Sequence, residues 1–147
     1  MKKLTLTLLL FSLISTNAFA EWTKVGTNED GDYYMDLQTI QNEGNKVLAF
    51  ILGYKVKVWV LNDYKFGHIY INGMNYFSDE VHYEYDCEEK TYQVFNTKSF
   101  AGHMGSGSLI GSVIASVSIY NSGTEEIVPG SINEIRFKKV CEKKREK

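Results

Sequence analysis

The sequence predicts an α+β, mainly β domain: an antiparallel sheet with a C-terminal helix tethered by a disulfide to one face. Three observations predict it. Strand-like alternation of apolar and polar residues recurs along most of the chain. A helix-capping signature, Ser131-Ile-Asn-Glu134, stands close to the end. The chain has two cysteines, Cys87 at the end of an alternating segment and Cys141 near the end of the helical one, and a single pair in an exported chain is read as one bridge.

Export is read from the first twenty residues. Lys2 and Lys3 give a positive start, Leu4 to Ile14 is almost unbroken apolar chain, and Ala18-Phe19-Ala20 supplies small residues ahead of Glu21. This is the pattern of a secretory signal cleaved between Ala20 and Glu21. The reading gives two parts, 1–20 as signal peptide and 21–147 as one domain. No cysteine lies beside the cleavage point, which argues against a lipid anchor there. The longest later apolar stretch, Val47 to Leu52, is far short of the roughly 18 residues of a membrane span.

The elements follow in order. Trp22 and Val25 alternate with polar neighbours, Thr27 to Asp32 is a turn, and Tyr33 to Asp36 is a short strand. Asp36 to Ile40 reads as one helical turn and Asn42 to Asn45 as another turn. Lys46 to Leu61 carries the strongest β signal. Lys55, Lys57, Trp59 and Leu61 point one way, Val56, Val58 and Val60 the other, and Gly53 marks a bulge or bend. Gly67 and Gly73 bracket His68 to Ile71, a short edge strand or part of a loop. In Val81 to Cys87, Val81, Tyr83, Tyr85 and Cys87 share the inward face, leaving His82, Glu84 and Asp86 on a solvated outer face. Glu88 to Lys90 turns the chain, and Thr91 to Thr97 returns antiparallel. Phe100 to Gly111 is a glycine- and serine-rich loop, Val113 to Tyr120 another strand. In the last element Ile132, Ile135 and Lys139 follow a helical stripe with Val140 beside it.

Composition excludes several functions. The leader takes two lysines and no acid, so residues 21–147 hold 14 basic against 18 acidic side chains, a net charge of −4 that does not suit a general nucleic-acid binder. No catalytic residue is assigned. Ser106 and Ser108 lack the Gly-x-Ser-x-Gly frame of a nucleophile elbow, and the same segment lacks a phosphate-binding lysine. Cys87 and Cys141 stand too far apart for a redox pair. No metal site is assigned: His82, Glu84 and Asp86 share a strand face without further ligands, and His68 and His103 are isolated. No cofactor is implied. The weak binding candidates are the basic residues of the C-terminus, Lys138, Lys139, Lys143, Lys144 and Arg145, set against their plainer role of compensating the helix dipole.

Several segments, in order, resemble the surface-adhesin protein E-like family of small secreted bacterial proteins. They are Trp22, Tyr33-Tyr34-Met35-Asp36, Val58-Trp59-Val60-Leu61-Asn62-Asp63-Tyr64-Lys65, Ser78 ahead of Tyr85-Asp86-Cys87, Pro129-Gly130-Ser131 and Val140-Cys141. The family usually carries a tryptophan shortly before Pro-Gly-Ser; Thr124-Glu125-Glu126-Ile127 occupies that stretch here. The resemblance implies the same sheet-plus-helix fold, a periplasmic, outer-membrane surface or secreted location, and attachment to host extracellular-matrix or plasma proteins. The function expected is therefore a non-enzymatic adhesin-like binding domain with a protein partner. A periplasmic protein-interaction or inhibitor module is the alternative, and open sheet edges allow a homodimer by strand addition.

Overall fold

The computed structural model describes residues 21–43, 54–114 and 123–141. The predicted signal peptide, Gly53 with the start of the main strand signal, the end of the Val113–Tyr120 segment and the basic run 143–145 lie outside the described residues.

Among the described residues all strands pair antiparallel in one eight-stranded sheet. The chain order is β1 (Trp22–Thr27), β2 (Gly31–Asp36), a 3-10 turn (Leu37–Thr39), β3 (Gln41–Glu43), β4 (Lys55–Ile69), β5 (Asn75–Asp86), β6 (Thr91–Phe100), β7 (Leu109–Ile114), β8 (Glu125–Glu126) and the helix α1 (Ile132–Cys141). In space the sheet runs β1-β2-β4-β5-β6-β7, with β3 alongside β4 and β8 alongside β6.

Turn chemistry sets the connections. Asn28 Oδ1 accepts from the amides of Asp30 (2.9 Å) and Gly31 (3.0 Å), closing the β1–β2 turn. Asp36 Oδ1 accepts from Gln38 N and caps the 3-10 turn. At the β5–β6 hairpin Asp86 Oδ1 accepts from Glu88 N and Glu89 N, and Lys90 takes the positive φ that closes the reversal. The turn read at Glu88 to Lys90 takes in one residue more, so that Cys87 to Lys90 form it.

The alternation read in β4 holds. Val56, Val58 and Val60 are wholly buried with Met35, Val81, Tyr85 and Val140, forming the core between the sheet and α1. Register explains the set: Met35 pairs with Val60, Val60 with Val81, Val58 with Tyr83 and Val56 with Tyr85, so three strands contribute side chains to one face. The Cys87–Cys141 disulfide joins the end of β5 to the last residue of α1, with the α-carbons 5.6 Å apart. Both cysteines pack against the core.

Four details differ from the sequence reading. β4 does not end at Leu61 but runs to Ile69, and β5 begins at Asn75, so His68 lies in a long β4–β5 hairpin rather than a separate edge strand. A register shift between Asp63 and His68 absorbs extra residues on β4, and this bulge is what hid the continuity. Asn42 and Glu43 belong to strand β3, whose backbone pairing with β4 overrides their turn propensity. The capping box is offset: Ser131 Oγ accepts from Glu134 N (3.2 Å), but Glu134 reaches back to Gly130 N (2.8 Å) rather than to the serine amide, which bonds Val128 O.

The helix is also rotated from its predicted stripe. Arg136 and Val140 are its buried residues, Phe137 packs beside them, and Ile135 and Lys139 are exposed. The sheet presents polar acceptors where the helix crosses it, and these take an arginine instead of an isoleucine. Ile132 lies over Gly26 of β1, so close that a β-carbon there would meet its Cδ1 at 2.5 Å.

Candidate functional site

The sheet face opposite the helix carries alternate residues of β4, β5 and β6. Trp59 pairs with His82 across β4 and β5. Their rings stack with centroids 4.7 Å apart and planes within 6°. Lys98 on β6 places its ammonium 5.1 Å from the Trp59 ring and 3.9 Å from Glu80, which stands beside it in register. A bulge in β6 between the partners of His82 and Tyr83 leaves Phe95 as the extra residue. That bulge turns the Phe95 ring toward His82, with Lys57 4.4 Å above it. The result is a strip of three aromatic rings flanked by a lysine at each end, half-buried among the described residues.

At one end of the strip Glu84 is buried and bridged by Lys55 (3.4 Å) and Lys57 (3.7 Å), while its Oε1 accepts from Gln93. The predicted solvated face is therefore wrong at Glu84, because two cross-strand lysines and a glutamine cover its carboxylate. A cleft of about 290 Å³ opens there, lined among others by Asp86, Tyr92 and Gln93. Tyr92 donates to Glu125 of β8, and burial together with that carboxylate pushes its hydroxyl up to about 12.

The other end is closed by the glycine-rich loop. Ser78 Oγ, wholly buried, donates to Gly102 O (2.5 Å) and accepts from Gly105 N (2.9 Å). Asp63 Oδ1 accepts from Met104 N (2.9 Å) and meets His103 Nδ1 at 3.0 Å. Gly105 has φ +70° and lies against Leu61 and Glu80, a place no β-carbon fits without strain. The loop is thus an anchored cover over Leu61 and Ser78, and its serines serve its own structure: Ser106 Oγ donates to His103 O.

Beyond this loop the β4–β5 hairpin projects. Phe66 is 73 % exposed, Ile69 75 %, Ile71 95 % and Met74 47 %, an uncommon concentration of apolar side chains in solvent.

The sequence-predicted candidates are not brought together. Lys138 pairs with Glu134 at 2.8 Å, which holds that carboxyl below its ordinary range. Lys139 is exposed on the helix, and Lys143, Lys144 and Arg145 lie outside the described residues. His82, Glu84 and Asp86 go to different roles, in the ring stack, the lysine bridge and the β5–β6 turn. No group of three or more His, Cys, Asp or Glu able to hold a metal is found among the described residues. Sequence reading missed the aromatic–lysine strip and the hairpin tip. The first had one signal, the alternation of Lys55, Lys57 and Trp59 on one β4 face; the second had the apolar run around Gly67 and Gly73.

Among the described residues no helix is long and apolar enough to cross a membrane. No curated protein sequence matches the chain. Its fold is similar to that of Haemophilus influenzae protein E: one crystal structure matches with TM-score 0.57 and 13 % identity over 87 % of this chain and 89 % of that one. A second crystal form matches with TM-score 0.60 and 13 % identity, covering 87 % and 92 %. The protein E structure from non-typeable Haemophilus influenzae matches with TM-score 0.57 and 13 % identity, covering 86 % and 79 %. The sequence profile of surface-adhesin protein E matches residues 22–142, a span that includes every described strand and the described helix, and the chain belongs to that family.

Proposed function

We propose that this chain is a non-enzymatic, exported, adhesin-like domain whose partner is a protein, of the class found in host extracellular matrix or plasma. Residues 1–20 would direct export and be removed between Ala20 and Glu21, leaving 21–147 as the working domain. The observation that carries this reading is membership of the surface-adhesin protein E family across residues 22–142. The strip of Lys57, Phe95, His82, Trp59 and Lys98 supplies a contact surface of suitable chemistry. Aromatic anchors beside cations contribute most where interfaces are best packed, and a sheet holds them rigidly. It is a better candidate than the helix end, where Glu134 already occupies Lys138.

Binding of the purified disulfide-bonded protein to immobilised matrix and plasma proteins tests the reading. Saturable binding at physiological salt, weakened about tenfold by Lys98→Glu, is the expected result. Absence of saturable binding overturns the function. Binding unaffected by both Lys98→Glu and Trp59→Ala overturns the assignment to this face.

A further inference from the structure

We infer that the tip of the β4–β5 hairpin, residues 66–74, is a membrane-contact element that seats in the interfacial zone of a phospholipid bilayer. Four observations carry this. The first is exposure: Phe66, Ile69, Ile71 and Met74 project into solvent at the far end of a strand pair.

The second is charge. Residues 66–78 contain no Asp, Glu, Lys or Arg. A neutral tip matches the interfacial zone, where an ionised side chain would be costly. The third is the backbone. In lipid, polar main-chain groups must be satisfied internally. The turn meets part of this demand: Tyr70 N donates to Met74 O (2.8 Å), Gly73 N to Tyr70 O (2.8 Å), and Met74 N to the Asn72 side chain (3.0 Å). Gly73, at φ +81°, makes the tight reversal without strain.

The fourth is a collar of rings behind the tip. Tyr64, His68, Tyr76 and Tyr70 form a chain of ring contacts 4.0 to 6.3 Å between centroids. Tyrosine favours the headgroup level of a membrane, one end apolar and the other wet. Tyr70 also lies on Gly111 of β7, so close that a β-carbon there would meet its ring at 2.3 Å, and Asn72 donates to Ile110 O. The tip is thereby braced against the sheet and presented as a rigid prong. This surface is separate from the aromatic–lysine strip, so an adhesin could hold protein and membrane at once.

Co-sedimentation of the purified disulfide-bonded protein with phosphatidylcholine vesicles tests the inference. The protein should partition to the vesicles with little dependence on salt, because the tip is uncharged. Ile69→Glu and Ile71→Glu should each lower partitioning by about tenfold, the order expected for losing one partly buried isoleucine, while the melting curve stays unchanged. Vesicle binding equal in the double variant and the parent overturns the inference, as does no binding to vesicles at all. Loss of self-association in the double variant by light scattering, without vesicle binding by the parent, assigns the tip to a second copy and overturns it likewise. Protein binding measured without lipid reports on the adhesin reading alone.

Discussion

Arg136 of the helix donates through Nη2 to Oδ1 of Asn62 on β4, 74 residues earlier in the chain. Arg136 is 1 % exposed, and its guanidinium lies 5.5 Å from the Tyr33 ring and 5.6 Å from the Tyr83 ring. Asn62 then passes the polarity on, its amide donating to Asp79 Oδ1 at 2.6 Å, while Tyr64 donates to Asp79 Oδ2 at 2.8 Å. Asn133 accepts from Arg136 at 3.1 Å and from Tyr85 at 3.3 Å. One buried polar chain therefore ties the helix to β4 and β5 and ends beneath the projecting hairpin.

Arg136→Met should cost about 3–5 kcal/mol in urea unfolding, since it removes the cation of this chain and leaves the Asp79 carboxylate buried without it. Arg136 Nε finds no acceptor among the described residues, so the network is not fully satisfied. Replacing Arg136, Asn62 and Asp79 together by apolar residues should recover much of the loss. Equal instability of the single and triple variants would show that packing, not the buried charge, sets the cost.

Asp79 gives the chain a pH signature. Burial raises its carboxyl above the ordinary range, outweighing the hydrogen bonds from Tyr64 and Asn62 and the pull of Arg136. The native state thus holds this proton more tightly than the unfolded chain does. Asp79 therefore detracts from stability at neutral pH, and that cost fades as pH falls through its folded value toward the unfolded one. Asp79→Asn has no such titration. The stability of the parent relative to Asp79→Asn should rise on moving from pH 7 to pH 4. A constant difference across that range, from paired urea curves, would refute the burial account.

This chain of residues was only half legible in the sequence. Asn62 continues the inward parity of Val56, Val58 and Val60, and Asp79 that of Val81, Tyr83 and Tyr85. Two polar residues on an inward face demand a buried partner, and that demand was the available signal. Arginine is so seldom buried that nothing in the helix pattern named Arg136, and the isoleucine stripe pointed elsewhere. The valine alternation, the turns that follow Thr27 and Cys87 and the cysteine pair were readable because each rests on local chemistry. The Trp59–His82 stack was not, because it depends on a hairpin register set by a bulge between Asp63 and His68.

The Cys87–Cys141 bridge fastens the same helix covalently. It closes a span of 54 residues, and the chain-entropy relation assigns such a loop about 4 kcal/mol. Most domains hold only about 5–15 kcal/mol in all. Reduction, or the Cys87→Ser/Cys141→Ser variant, should lower the melting temperature sharply and expose Val140 and Phe137 to solvent. The strands remote from the helix should keep their pairing longest. An unchanged melting curve in reductant would mean that Arg136 and the core alone secure α1.

Ser78 makes the last test, at the glycine-rich loop. Its hydroxyl is wholly buried and serves two backbone groups at once, Gly102 O and Gly105 N. Ser78→Ala strands both without water to replace the lost partner, at a cost of about 1–3 kcal/mol. Asp63 still holds Met104 N and His103 in this variant, so the loop should loosen at Gly102 and Gly105 before it leaves the sheet. Amide hydrogen exchange at those two glycines should therefore accelerate while Met104 keeps its protection. Asp63→Ala should give the opposite order, with Met104 exchanging first. If both variants release the whole segment together, the loop opens as one cooperative unit, and the two anchors do not act separately.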